Sequence, residues 1–432
     1  MLRTFSKHNN GQSLMKKTLS IFILASASAL SLPAFAGSTE PALAHPDSSL
    51  LYASLGEKIL GYRVDPQAAS LTFLGETVAP TNVQFAVKNA DGSVLYVVSS
   101  NAGNGTLGAK GDTHVLNAYR INPVSGALTL LPGDVRLPER PINLTLDRTG
   151  QFALVAYNQS ATLSVHPIGA DGGVHDAVVQ RQVPQAGIFT HQVTLTPDNQ
   201  TVIALARGND AVGPVPDQPG SIESFKLDAQ GHLAKVMVGA LDPGIGPRHL
   251  AYHPSKPWVY MAMERGSKLY MYTLDKEGLL SANPLFRKDT LADLADLDTP
   301  RQRGGVIQVS PNGKYIYVSN RADATVPFDG KAVSAGGENN IAVFAINPRT
   351  GEPTLIQHID GHGIEGRTLK VDPTGKLLIV ANQKTLWVKN ADNLDKVRAN
   401  LAVFSIGSDG KLTFMHSYEM ADEKKSLLWM DI

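Results

Sequence analysis

Five residue pairs, each separated by sixteen positions, hold the residues of this chain best suited to chemistry: His191 and Arg207, Arg248 and Glu264, Gly305 and Arg321, Arg367 and Gln383, and Ile142 and Asn158. Arginine presents a planar fork of N–H donors that matches carboxylate, phosphate or a developing oxyanion. Histidine and glutamate add proton transfer near neutral pH. Brought together, Arg207, Arg248, Arg321, Arg367, His191 and Glu264 would make a cationic site able to activate water and stabilise charge on a carbonyl oxygen. The competing role for each is structural, since polar residues at strand ends also tie neighbouring elements together. Other chemistries are excluded by what the chain lacks. It has no cysteine, hence no disulfide, thiolate nucleophile or Cys-ligated zinc. It has no G-x-S-x-G, H-E-x-x-H or P-loop. His358 and His362 stand in a strand-and-loop context, not on one helix face, and His249 and His253 read as packing or turn residues. No metal or cofactor is expected.

The elements that must position these side chains are short strands. Residues 246–275 contain three apolar and aromatic runs separated by Pro, Gly and Ser turns, a pattern that favours strands over helices. The second run returns antiparallel to the first, which sets Arg248 and Glu264 at one end of a sheet. The same unit recurs from Leu50, Thr81, Asn143, His191, Arg248, Gly305 and Arg367, seven times in all. Corresponding turns are Asp147-Arg148-Thr149-Gly150, Pro197-Asp198-Asn199, Pro311-Asn312-Gly313 and Asp372-Pro373-Thr374-Gly375. Seven four-stranded antiparallel units predict an all-β, seven-bladed β-propeller over residues 48–432, which hides sheet edges by radial repetition. Residues 426–432 form a strand with no partner in their own unit, and are expected to complete the N-terminal blade and close the ring. First strands line the channel of a propeller, so the sixteen-residue pairs should converge on one rim. Insertions at 101–113, 211–220, 325–339 and 384–399 follow second strands and should form loops over one face.

The N-terminus has a different character. Met15-Lys16-Lys17 precedes an apolar run from Leu19 to Leu32 and the small-x-small site Ala34-Phe35-Ala36. Residues 1–36 therefore read as a secretory signal peptide cleaved after Ala36, with Met15 a possible start. No later stretch reaches roughly 18 apolar residues, so no membrane association is expected after cleavage. Lys+Arg and Asp+Glu each number 39, a balance that gives no support to nucleic-acid binding.

With these residues in place, the chain resembles the seven-bladed propeller lactonase family, which includes propeller-type 6-phosphogluconolactonases and carboxy-muconate cyclases. The resemblance covers about 48–432 and is carried by GPRHLAYHP with MAMERGS, HQVTLTPDNQTV, VSPNGKYIYVSNR, GRTLKVDPTGKLLIVANQ and the closing LLWMDI. It implies catalytic roles for His191, Glu264, Arg248 and Arg321, and Arg367 also matches a family position; Arg367 and, from the sixteen-residue spacing, Arg207, Asn158 and Gln383 are substrate-binding candidates. Gly366 replaces the proline usual before Arg367, and ALARGND replaces the family's Asp-Leu-Gly pattern. The implied reaction is hydrolysis of a sugar δ-lactone of the glucono-1,5-lactone type to the aldonic acid, with His191 or Glu264 as base. The signal peptide places it in the periplasm, as a monomer or homodimer. The alternatives are 6-phosphogluconolactonase activity proper and a non-enzymatic binding propeller.

Overall fold

The computed structural model of the protein describes residues 48–103, 110–295, 301–390 and 393–432; the expected signal peptide lies outside the described residues. The regular elements described are strands, arranged as seven radial sheets and one accessory sheet. In blade 1 the inner strand is the C-terminal Met430–Asp431, paired antiparallel with Ser49–Leu55. The inner strands of blades 2 to 4 are Val83–Lys88, Pro141–Leu146 and Thr190–Leu195. Those of blades 5 to 7 are Pro247–Tyr252, Arg303–Val309 and Ile364–Val371. Blade 3 departs from the four-stranded expectation: it has three regular strands, and its outer edge is reduced to two isolated bridges, Thr162 with Gln185 and Ile168 with Val174.

The blades cohere because each strand sends alternate side chains to opposite faces. In the second strand of blade 4, Thr201–Ala206, Val202 and Ala204 pack toward blade 3, whereas Ile203 and Leu205 pack toward blade 5. Seven apolar cores result, one at each interface around the circle. The interface between blades 7 and 1 joins Leu377 and Ile379 to Leu51 and Met430, so the ring is closed by apolar packing as well as by strand pairing. Inner strands do not pair with one another. Side-chain amides link them instead: Val193 N–H donates to Asn143 Oδ1 at 3.0 Å, and Leu250 N–H to Gln192 Oε1 at 2.8 Å.

The two recurring turns that read Asp-x-Thr-Gly share one chemistry. Asp147 Oδ1 accepts the N–H groups of Gln151 and Phe152, each at 2.7 Å, while Gly150 takes a φ of 70°. Asp372 does the same for Lys376 and Leu377, with Gly375 at 72°. An aspartate that satisfies its own turn and a glycine free to adopt positive φ are what Asp-x-Thr-Gly supplies.

The insertions differ from expectation. Residues of two of them fold into hairpins, Thr325–Phe328 with Lys331–Ser334 and Leu386–Asn390 with Asn393–Val397. Lys331–Ser334 pairs parallel with Leu386–Asn390 through Val333 and Trp387, giving an accessory sheet between the insertions of blades 6 and 7. The ammonium of Lys331 lies 4.0 Å from the Trp387 ring centroid, which covers the aromatic face. Val326 and Phe328 alternate, Val333 stands opposite Val326, and Leu386-Trp387-Val388 is a short apolar run; these carry the strand signal that a loop reading passed over.

Candidate active site

The rim residues are held by a repeated irregularity. Six inner strands carry a β-bulge, and in five of them the single extra residue is Gln84, Ile142, His191, Arg248 or Arg367. In blade 6 the shift spans Gly305 and Val306. A bulged residue is left out of the ladder and its strand bends, so its side chain escapes the up-down alternation. Here that turns His191, Arg248 and Arg367 into an axial cavity of about 580 Å³. Their partners sixteen positions on sit at the ends of second strands, diagonally across each bulge. Arg207 N–H donates to Phe189 O at 3.0 Å, and Glu264 N–H to Gly246 O at 2.6 Å, which fixes that register.

All eight sequence-predicted residues border this one cavity: His191, Glu264, Arg248 and Arg321, and also Arg207, Arg367, Asn158 and Gln383. Sequence reasoning missed several others. Arg140, Phe189, Arg303 and Glu365 also line it, each two positions before a bulge residue or its blade-6 counterpart. Reading the same repeat two residues earlier would have found them. Asp210, Arg301 and Asp323 come from connecting segments, where no repeat points to them, and Lys384 is the last residue of the second strand of blade 7, Leu377–Lys384. His358 and His362 have structural contacts: His358 Nε2 bonds Thr290 O at 2.9 Å, and His362 stacks on Phe414 with ring centroids 3.6 Å apart.

Glu264 is the electrostatic centre. Its Oε2 lies 2.8 Å from Arg248 Nε and 3.3 Å from Arg321 Nη2, and its Oε1 lies 3.9 Å from Arg207 Nε. Burial alone would raise its pKa, but Arg321, then Arg207 and Arg248, outweigh burial and hold the carboxyl at about 2. Glu365 Oε1 takes the other side of Arg321 at 3.0 Å. Arg367 has no ion pair or hydrogen bond among the described residues. Gly305 belongs to the same arrangement: a Cβ there would come within 2.1 Å of Ser319 Oγ and 3.1 Å of Arg321 Cδ.

His191 is buried, and its Nδ1 has no hydrogen-bond partner. Burial first, then Arg248, His249 and Arg367, push its pKa well below the ordinary imidazole value. It is therefore neutral at physiological pH and able to accept a proton. His249 packs edge-on against it, centroids 5.0 Å apart, and its Nδ1 accepts from Arg248 Nη1 at 2.7 Å. The cavity thus combines a neutral imidazole with clustered guanidinium donors, and its lining carries eight Arg or Lys side chains against four carboxylates. Such a lining favours small anions and polarised carbonyl groups.

A seven-bladed propeller with a cationic axial cavity is the class that fold and site define. Residues 48–392 match the family described as lactonase, 7-bladed β-propeller, and the chain belongs to that family. A Bacillus subtilis (strain 168) protein named 6-phosphogluconolactonase is 25% identical over 340 residues, covering 76% of this chain and 85% of that one. One from Pectobacterium carotovorum, of the same name, is 28% identical over 322 residues, covering 74% and 83%. Among solved structures, the Pseudomonas aeruginosa periplasmic gluconolactonase PpgL superposes with a TM-score of 0.67 at 23% identity, covering 86% of this chain and 96% of that one. A Lactobacillus plantarum protein gives 0.68 at 23%, covering 89% and 98%.

Proposed function

We propose that this protein hydrolyses a sugar δ-lactone to its aldonic acid. The observation that carries the reading is the juxtaposition, in one cavity, of a neutral buried His191 with the guanidinium groups of Arg248 and Arg321. Water attacks the lactone carbonyl as His191 takes its proton, and the carbonyl oxygen gains its negative charge against Arg248 and Arg321. The tetrahedral adduct then collapses: the bond from the carbonyl carbon to the ring oxygen breaks, and the imidazolium returns its proton to that oxygen. The products are a hydroxyl and a carboxylic acid, which loses the second proton of the attacking water to solvent and stays, as carboxylate, paired with the arginines. Each preorganised donor at the oxyanion contributes on the order of 3 kcal/mol, and a positioned base about 10²- to 10⁴-fold in rate. Between the two base candidates, the geometry favours His191. Protonating Glu264 would break its pairs with Arg248 and Arg321, whereas His191 Nδ1 has no hydrogen bond to lose.

The test is hydrolysis of glucono-1,5-lactone with the spontaneous rate subtracted. His191→Ala should lose at least about 10²-fold in kcat. The wild-type kcat/KM should stay flat from pH 8 to pH 6, because the base form of His191 persists to below the usual imidazole range. Equal rates for wild type and His191→Ala would leave a binding propeller as the better reading.

A second reading, that the substrate is phosphorylated, is favoured by Arg367, which faces the cavity and makes no ion pair or hydrogen bond among the described residues, Glu365 acting on it only through its charge. Arg367→Ala would then raise KM for the 6-phosphate lactone far more than for the unphosphorylated one. An equal effect on both would argue against a phosphate at that residue. Export to the periplasm fits the N-terminal pattern and the unphosphorylated substrate. Cell fractionation with N-terminal sequencing of the mature protein, expected to begin at Gly37, tests it.

A further inference from the structure

Four carboxylates border the cavity, and three have both oxygens engaged by cations. Glu264 is held by Arg207 on one oxygen and by Arg248 and Arg321 on the other. Asp210 Oδ1 lies 2.8 Å from Arg265 Nε and its Oδ2 2.6 Å from Arg303 Nη2. Asp323 Oδ1 lies 2.7 Å from Arg301 Nε and its Oδ2 3.1 Å from Lys384 Nζ. Glu365 differs. Its Oε1 meets Arg321 Nη1, while its Oε2 is buried with no hydrogen-bond partner.

The backbone of Glu365 is also unusual. Its φ is 59°, a left-handed conformation that costs a side-chain-bearing residue about 1 kcal/mol or more. The residue is 6% exposed, and its N–H is fixed by Asn339 Oδ1 at 2.8 Å. The register that pairs Ile364 with Lys384 and Gly366 with Asn382 sets Glu365 opposite Gln383. Gln383 lines the same cavity, is 4% exposed, and has a buried Oε1 without a partner. Asn158, also in the lining, has a buried and unpartnered Oδ1.

These atoms narrow the ligand. A salt-bridged carboxylate and an amide oxygen only accept hydrogen bonds. A lactone carbonyl, a ring oxygen, a carboxylate and an ionised phosphate are acceptors too, and none of them satisfies Glu365. A hydroxyl does. The guanidinium groups show the converse need, since they only donate. The cavity therefore complements a molecule with an acceptor at its reacting end and hydroxyl donors elsewhere. A lactone with no hydroxyl substituents would leave a buried carboxylate oxygen dry and unpaired, the situation that gives the strongest discrimination between analogues.

We propose that Glu365, with Gln383 beside it, is a hydroxyl-recognition pair that makes the cavity selective for polyhydroxylated lactones. This rests on the lactonase reading above and adds a specificity determinant to it. The test compares glucono-1,5-lactone with δ-valerolactone, which has the same ring and carbonyl and no hydroxyl groups, in wild type, Glu365→Gly and Glu365→Gln. Glycine removes the carboxylate and suits the left-handed backbone; glutamine keeps an acceptor and removes the charge. Glu365→Gly should lower the ratio of kcat/KM for glucono-1,5-lactone to that for δ-valerolactone by about 10- to 100-fold. Glu365→Gln should fall between. The product inhibition constant of gluconate should weaken in the same order, while that of 5-hydroxypentanoate holds. A merely structural role, in which losing Glu365 lets Arg321 drift, would depress both substrates in parallel, and that outcome overturns the proposal. So does no change in either. Wild type inactive on both lactones would overturn the lactonase reading itself, a result distinguishable from these.

Discussion

At the scale of single residues, the site is a problem of holding like charges together. Arg207, Arg248 and Arg321 crowd one wall, and burial followed by the Arg321 charge makes Arg248 costly to keep ionised. Glu264 offsets that cost for all three. Its folded pKa of about 2 lies below the ordinary 4.5, so the stability it contributes is fully present above pH 4.5 and is lost as pH falls toward 2. At 1.36 kcal/mol per pKa unit this comes to about 3 kcal/mol, in the range found for breaking buried ion pairs. Glu264→Gln should therefore lower the urea midpoint near neutral pH by the equivalent of about 3 kcal/mol at unchanged m-value. The gap to wild type should close as the pH is taken down from 4.5. A gap that stays constant to pH 3 would mean that Glu264 acts through packing and not through charge.

At the scale of elements, the bulge is the device that turns a repeated strand into a cavity wall. It also explains why Gly305 stands where four other blades present Ile142, His191, Arg248 and Arg367. Arg321 comes in from the neighbouring strand and needs the space that a Cβ at 305 would fill. Ser319 Oγ, which that Cβ would strike, accepts from Val306 N–H at 3.1 Å and donates to Gly366 O at 2.8 Å, linking blades 6 and 7. Gly305→Ala should cut kcat/KM at least about 10-fold by displacing Arg321, with a loss of about 1–3 kcal/mol in stability from the strained contact. Activity kinetics with a thermal melt check this, and wild-type kinetics would show that Arg321 is not placed through Gly305. The constancy of this geometry made the site legible. A spacing of sixteen survives every change of side chain because it counts backbone positions across a hairpin with one extra residue. The bulge itself has no sequence mark, so the spacing appeared as a regularity without a cause. Glu365 and Arg303 were within reach of the same reasoning. Asp210 and Asp323 were not, because they lie on connections that no other blade repeats, and Lys384 was not, because the matching strand ends of blades 4 to 6 hold Gly208, Arg265 and Ala322. The accessory sheet went unread for a related reason: its two hairpins are far apart in sequence and pair only because blades 6 and 7 are neighbours.

At the scale of the whole molecule, the site exists only while the ring is closed, since its residues come from blades 3 to 7 and share an axis. Closure depends on a few C-terminal residues. Ser54 N–H donates to Trp429 O at 2.8 Å, Tyr52 and Ala53 pair with Asp431 and Met430, and Asp431 Oδ1 lies 2.8 Å from Lys370 Nζ on the inner strand of blade 7. Leu427, Trp429 and Met430 are at most 1% exposed, and they fall in two different cores: Leu427 and Met430 between blades 7 and 1, Trp429 between blades 1 and 2. Burying a large apolar side chain contributes about 1.5–3 kcal/mol, so these three supply about 6 kcal/mol, comparable with the entire 5–15 kcal/mol of a typical fold. In an open sheet such a loss would fray one edge. In a ring it removes the inner strand of blade 1 and two interfaces together, and leaves Ser49–Leu55 with an unpaired edge toward the axis. Deleting 427–432 should thus abolish a cooperative melt and expose blade 1 to limited proteolysis. Trp429→Ala alone should cost about 3–5 kcal/mol and leave lactone hydrolysis measurable at low temperature. A truncated protein with the wild-type melting midpoint would mean that the seven cores hold the circle without its final strand.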